Sequence, residues 1–332
     1  MDVYGKFLRM GTAVILCATL IRLAGNAERF LQPEQIMKGI ILWQTGYRVT
    51  EAQPTEPKPI PTLPPDFHAR PAVAEQQLLP LQLTQDDLAQ VQIQNGTPYA
   101  VDKAALLGKP LTWNLRSEAP AVLILHTHAT ESYTQTEDYQ ESAAYRTLDE
   151  RYNMVSIGAE LAACLEAEGI AVIHDQTLYD HPSYSGSYNR AREAVEKHLE
   201  ENPSICLVLD LHRDAMEGED GRQLGYTQQT QAGEAAKLML VCGSDAGGLN
   251  YPNWQENLAL GLKMQAALER QCSGLCRSLS LRTGRYNQDL MGNMILIEVG
   301  AAGNTRQQAL VAVRELARAL VDMAQGVETE KQ

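Results

Sequence analysis

The run Leu123-Ile124-Leu125-His126-Thr127-His128-Ala129-Thr130-Glu131-Ser132-Tyr133 sets two imidazoles and a carboxylate directly behind a short apolar segment. Two further runs repeat the arrangement. Ile205-Cys206-Leu207-Val208-Leu209-Asp210-Leu211-His212-Arg213-Asp214 ends near a histidine, and Met294-Ile295-Leu296-Ile297-Glu298-Val299-Gly300 carries a glutamate. A continuous apolar run of this length, too short for a core helix, reads as a buried strand. Three of them constrain the chain to an α/β sheet, in which functional groups gather at the carboxyl ends of the strands. Side chains alternate along a strand, so His126 and His128 are expected to point the same way, as two ligands of one ion must.

Helical patterns fall between these runs. Asn153 to Glu168 carries Ile157, Leu161, Cys164 and Leu165 on one face, and a strand over Ile170 to His174 follows. A second helix is expected over Tyr184 to His198, a strand over Leu238 to Cys242, and a helix opened by Asn253 with Glu256 as its capping pair. Leu310, Val313, Leu316, Leu320 and Met323 recur at helical spacing in a last helix. The predicted fold is α/β, a mixed, mostly parallel sheet flanked by helices.

At 332 residues and 44% apolar content, the chain has room for one sizeable core plus extensions. Its net charge of −13 and the lack of any basic run exclude a nucleic-acid-binding surface, which needs clustered Lys and Arg. Four segments are expected. Residues 1–27 form a membrane anchor or signal segment, because Lys6 and Arg9 precede an uncharged run that Arg22 closes; an uncleaved anchor is preferred to a cleaved signal. Residues 28–80 form a proline-rich extracytoplasmic linker, residues 81–118 a small accessory module with an Asn95-Gly96 turn, and residues 119–325 the catalytic domain. Cys164, Cys206 and Cys242 fall in apolar contexts that suit buried thiols. Cys272 and Cys276 are expected either to close a small disulfide loop or to remain thiols.

The chemistry these strand ends suit is that of a single zinc ion held by nitrogen and oxygen ligands with one position left for water. The candidate ligands are His126, His128, Glu131 and His212. Glu298 would be costly as an unpaired charge in an apolar run, which marks it for a role in the reaction.

Taken in order, His126-Thr127-His128-Ala129-Thr130-Glu131-Ser132-Tyr133, Asp210-Leu211-His212-Arg213-Asp214, Gly284-Arg285-Tyr286-Asn287-Gln288-Asp289-Leu290 and Leu296-Ile297-Glu298-Val299-Gly300 resemble the stage II sporulation protein P family. That family is similar in fold to the type 3 zinc N-acetylmuramoyl-L-alanine amidases. The resemblance implies a membrane-anchored peptidoglycan hydrolase that cuts stem peptides from glycan, with endopeptidase activity beside it, during engulfment in endospore formation. Its implied cofactor is Zn2+, and its implied partners are peptidoglycan and stage II sporulation proteins D and M.

Carried onto this chain, the resemblance makes His128 or His126 one zinc ligand, His212 another and Glu298 the catalytic acid/base. The carboxylate ligand is Glu131, ranked ahead of Glu150 in Glu150-Arg151-Tyr152-Asn153. Asp210 is expected to orient its neighbours, and Arg213 or Arg285 to stabilise an oxyanion or hold a substrate carboxylate. Two other readings compete: a catalytically idle wall-binding scaffold of the engulfment machinery, and another metal-dependent amidohydrolase.

Overall fold

A computed structural model describes residues 85–325 except residue 112. The expected membrane segment, 1–27, and linker, 28–80, lie outside the described residues. In chain order the elements are α1 (Gln85–Gln90), β1 (Ile93–Asn95), α2 (Lys103–Gly108), β2 (Val122–Leu125), α3 (Met154–Ala167), β3 (Val172–His174), α4 (Ser187–Glu201), β4 (Leu207–Asp214), β5 (Thr227–Thr230), β6 (Gly233–Ala236), β7 (Leu238–Cys242), α5 (Trp254–Gln271), β8 (Leu279–Leu281), β9 (Met294–Ala301) and α6 (Arg306–Gln325).

The three apolar runs become β2, β4 and β9, buried along almost their whole length. They lie side by side in a seven-stranded sheet of order β1-β8-β7-β9-β4-β2-β3. All its pairings are parallel except that of β7 with β9. Such strands read as unbroken hydrophobic runs because helices cover both faces. Burying Leu123, Ile124 and Leu125, each at most 1% exposed, stabilises the centre by roughly 1.5–3 kcal/mol per side chain.

The two faces are covered unequally. Ile124, Leu209, Leu211, Ile295 and Ile297 join the large core with α3, α5 and α6. Leu123, Leu125, Val208 and Met294 pack with Ala191 and Val195 of α4. Further along that second face, Met239, Val241 and Leu296 form a small cluster against Tyr286. By alternation Asp210, His212 and Glu298 face the second side. It is there, beyond the end of α4, that polar groups collect.

Several boundaries differ from the sequence reading. The helix expected from Tyr184 starts at Ser187, because Gly186 before it is left-handed (φ 79°). Asn253 precedes α5 but its side chain makes no capping hydrogen bond; its carbonyl accepts from the Glu256 N–H instead (2.9 Å). Asn153 does cap α3, accepting from the Val155 N–H. The segment expected as an accessory module contributes β1 to the edge of the main sheet, paired in parallel with β8. The described cysteines are free thiols. No helix among the described residues is long and apolar enough to cross a membrane.

Candidate metal centre

β2 ends at Leu125, and the next residues turn. Asp210, the register partner of Leu125 on β4, holds that turn: its carboxylate accepts from the Thr127 N–H (2.8 Å) and hydroxyl (2.6 Å). Strand alternation therefore reaches His126 and stops. His126 follows Ile124 to the α3 side, where it is 0% exposed. Its Nδ1 lies 3.1 Å from the Leu211 carbonyl and its Nε2 2.9 Å from His174 Nε2. With Nδ1 donating to the carbonyl, Nε2 must accept from His174. Burial and the neighbouring imidazole push His126 down to about 3, and burial pushes His174 down to about 4, so both rings are neutral. The expectation that His126 and His128 face one ion is thus corrected: the first is locked into a buried imidazole pair, and only the second enters the polar cluster.

That cluster consists of His128, Glu131 and His212, whose donor atoms all lie within 4.8 Å of one another. His128 Nδ1 is 3.7 Å from Glu131 Oε1, and His212 Nδ1 is 3.6 Å from Glu131 Oε2. Tetrahedral zinc ligands at about 2.0–2.2 Å have their donor atoms roughly 3.4 Å apart, so the set needs little movement to close on an ion. The remaining ring nitrogens are occupied elsewhere. His128 Nε2 meets Ser187 Oγ at 3.1 Å, and His212 Nε2 is 3.0 Å from Asp210 Oδ1. The latter contact is a buried pairing of the His212 ring with the Asp210 carboxylate. An imidazole turned by a carboxylate on one nitrogen presents the other to a metal. The donor set therefore fits zinc.

Charge at the cluster is tightly coupled. Burial alone would raise the Glu131 acid, but Arg213 and the two imidazoles hold it well below the usual carboxylate range. Burial likewise opposes charge on His212, and Asp210 and Glu131 outweigh it, raising that imidazole well above its ordinary value. Glu131 also accepts from the Arg213 N–H (3.2 Å) and from Arg146 Nη2 (3.2 Å). Arg146 in turn holds Asp180 (2.6 Å) and lies 4.7 Å from the centre of the Tyr184 ring.

Glu298 is 8% exposed, and its Oε2 has no hydrogen-bond partner among the described residues. Burial drives its acid up to about 8; His212 opposes that shift, while Glu131 and Asp214 add to it. A buried carboxyl that exchanges its proton near neutrality is suited to general acid–base work.

The two candidate arginines are both engaged with other protein groups. Arg213 is committed to the loop around the cluster: Nε donates to Ser132 O (2.9 Å), Nη2 to Tyr145 O (2.8 Å), and Nη1 lies 3.7 Å from Glu131. It positions Glu131. Arg285 pairs with Asp289 (3.2 Å), which also holds Arg192 (3.0 Å). Glu150 is exposed and outside the cluster, although Asn153 in the same motif caps α3.

Two tyrosines, Tyr184 and Tyr188, line the site unannounced by the sequence, and Tyr286 of the Gly284–Leu290 motif joins them. The Tyr184 and Tyr188 rings lie 4.5 and 5.4 Å from that of His128, and Tyr188 stacks parallel to His212 at 6.5 Å. Tyr286 meets Tyr188 edge-on at 6.0 Å. Tyr286 and Asn287 are both left-handed (φ 53° and 58°), a conformation that costs about 1–3 kcal/mol per non-glycine residue and concentrates at functional sites. For Tyr188 the one sequence signal was Ser185-Gly186-Ser187-Tyr188, a glycine-interrupted helix opening. Arg146 gave none.

The sequence model of the family described as stage II sporulation protein P matches residues 55–321. Stage II sporulation protein P of Bacillus subtilis (strain 168) is 26% identical over 217 residues, which cover 61% of this chain and 50% of the relative. The chain thus spans about half the length of the curated relative it matches. Among solved structures, the CwlD amidase from Clostridioides difficile, in complex with the GerS lipoprotein, is 15% identical with a TM-score of 0.37, over 62% of this chain and 95% of that one. The N-acetylmuramoyl-L-alanine amidase AmiC2 of Nostoc punctiforme is 11% identical with a TM-score of 0.36, over 61% and 94% of the two chains.

Proposed function

The chain belongs to the stage II sporulation protein P family, and on that premise we propose that it is a zinc-dependent peptidoglycan hydrolase, an N-acetylmuramoyl-L-alanine amidase with endopeptidase activity, acting in engulfment during endospore formation. One observation carries the reading: His128, Glu131 and His212 converge beside the unpartnered Glu298 carboxyl, the register partner of His212.

His128, Glu131 and His212 would hold the zinc. When bound, the ion supplies Lewis acidity and lowers the pKa of water. Glu298 takes a proton from the attacking water as the water oxygen bonds to the scissile carbonyl carbon and the C=O π pair moves onto oxygen. It then returns that proton to the leaving nitrogen as the C–N bond breaks, leaving a carboxylate and an amine. Asp210 orients the His212 ring and holds the turn at Thr127, and Arg213 fixes Glu131. Purified chain incubated with sacculi should release new amino termini, and chelation should abolish the release. Wall binding without release would favour the idle scaffold.

We also propose that residues 1–27 anchor the chain in the membrane with its hydrolase domain outside the cytoplasm, and that stage II sporulation proteins D and M are its partners. Both rest on sequence and family likeness. Carbonate-resistant membrane association that disappears on deleting residues 1–27 tests the first, and co-purification tests the second.

A further inference from the structure

The amide reaction needs a donor for the oxygen that becomes negative as the carbonyl carbon turns tetrahedral. Among the charged groups of the cluster none is free for it. Arg213 serves two carbonyls and Glu131, Arg146 serves Glu131 and Asp180, and Arg285 pairs with Asp289.

Tyr188 is placed differently. It lies in the first turn of α4, next to Ser187, which touches His128 Nε2. Its ring bridges the site, edge-on to His128, parallel to His212 and against Tyr286. The ring thus stands against two of the three candidate metal ligands. Three tyrosines elsewhere spend their hydroxyls within the protein: Tyr133 donates to Val299 O (2.8 Å), Tyr139 to Ser132 (2.8 Å) and Tyr179 to Asp175 (2.5 Å). The Tyr188 hydroxyl has no hydrogen-bond partner among the described residues. Tyr286 is no substitute, because its ring and hydroxyl lie against Gly284 of its own loop.

The strained loop has a matching use. Left-handed Asn287 donates from Nδ2 to the Tyr188 carbonyl (2.8 Å), pinning the turn that carries the phenol.

We propose that Tyr188 is a further catalytic residue, whose hydroxyl donates a hydrogen bond to the tetrahedral oxyanion of the scissile amide. This rests on the hydrolase reading above. Tyr188 transfers no proton: the water proton travels through Glu298 to the leaving nitrogen, and the phenol O–H bond stays intact.

The test is Tyr188→Phe in the full zinc-loaded chain. Five quantities are measured: metal content, thermal midpoint, kcat and KM on a soluble muramoyl peptide, and affinity for a phosphinate analogue with a tetrahedral phosphinate replacing the scissile amide. Metal content and midpoint should match the wild type. The turnover number should fall about 100- to 1000-fold, as removal of an oxyanion donor does. KM should hold, and the phosphinate should bind more weakly by a similar factor. A fall in metal content would make Tyr188 a structural support, and a change in KM alone would make it a binding wall; either overturns the inference, as does turnover within about twofold. If the wild type releases no termini from sacculi, the hydrolase reading fails and takes this inference with it. An active wild type with an equally active Tyr188→Phe sinks this inference alone.

Discussion

His212 and Glu298 are register partners across the β4–β9 ladder, on the sheet face that α4 only partly covers. Adjacent parallel strands hold such a pair about 5 Å apart at the backbone, so a candidate metal ligand and an unpartnered acid are fixed side by side by main-chain hydrogen bonds. The ladder slips immediately after them, between His212 and Asp214.

Glu298→Gln should keep the metal and the fold while turnover on purified peptidoglycan falls about 100- to 10,000-fold, the usual range for a general acid–base group. Release of amino termini, zinc content and thermal midpoint are read together. Near-normal release by a folded, zinc-loaded variant would remove Glu298 from the mechanism.

The same carboxyl sets a pH signature in the metal-free chain. Burial lifts its acid to about 8 in the folded chain from an ordinary 4.5, so between those values the folded state holds a proton that the unfolded state has lost. Stability therefore falls as pH rises through that window, by at most about 1.4 kcal/mol per unit, and levels off above it. Glu298→Gln cannot bind that proton. Urea midpoints of the two metal-free proteins should diverge from pH 5 to pH 8 in favour of the variant, whereas parallel profiles would refute the assignment.

Metal content separates the candidate ligands. His212→Ala and Glu131→Ala should lose the single zinc, whereas Glu150→Ala and His126→Ala should retain it, since neither belongs to the cluster. Asp210→Asn should weaken zinc affinity by about 10- to 100-fold, because its carboxylate turns the His212 ring. Competition with a chromophoric chelator measures all five, and full occupancy in His212→Ala would discredit the site.

Gly158 of α3 is the reason His126 and His174 can meet. A Cβ there would fall 2.4 Å from His126 Nε2 and 2.5 Å from His174 Nε2. Glycine to alanine in a helix ordinarily gains up to about 1 kcal/mol. Here Gly158→Ala should destabilise by about 1–3 kcal/mol through overpacking. Chemical denaturation gives the sign, and a stabilised variant would mean the imidazole pair yields easily.

Much of the architecture was legible because hydrophobic runs are local. Four to eight consecutive apolar residues announce a doubly buried strand, and β2, β4 and β9 coincide with the three runs to within a residue or two at the ends that lie in them, β2 starting one residue earlier and β9 ending one later. The α3 boundaries followed from Asn153 and the 3.6-residue spacing behind it. Four ordered motifs were enough to name the family. The start of α4 was misplaced because hydrophobic spacing is blind to a left-handed Gly186.

By itself, then, the sequence determined the sheet-forming runs, the helices between them, the family, and the short list of polar residues just beyond the strands. Tertiary structure alone decided which of those residues meet. His126 and His128 are two apart in sequence, yet an Asp210 carboxylate from another strand ends the alternation between them and sends their rings to opposite sides. Tyr188, Arg146 and Ser187 reach the cluster from distant loops and a helix opening, carrying no periodic pattern of their own. Strand and helix formation is governed by neighbours along the chain, whereas a site is an agreement between groups that only register and packing bring within hydrogen-bonding distance.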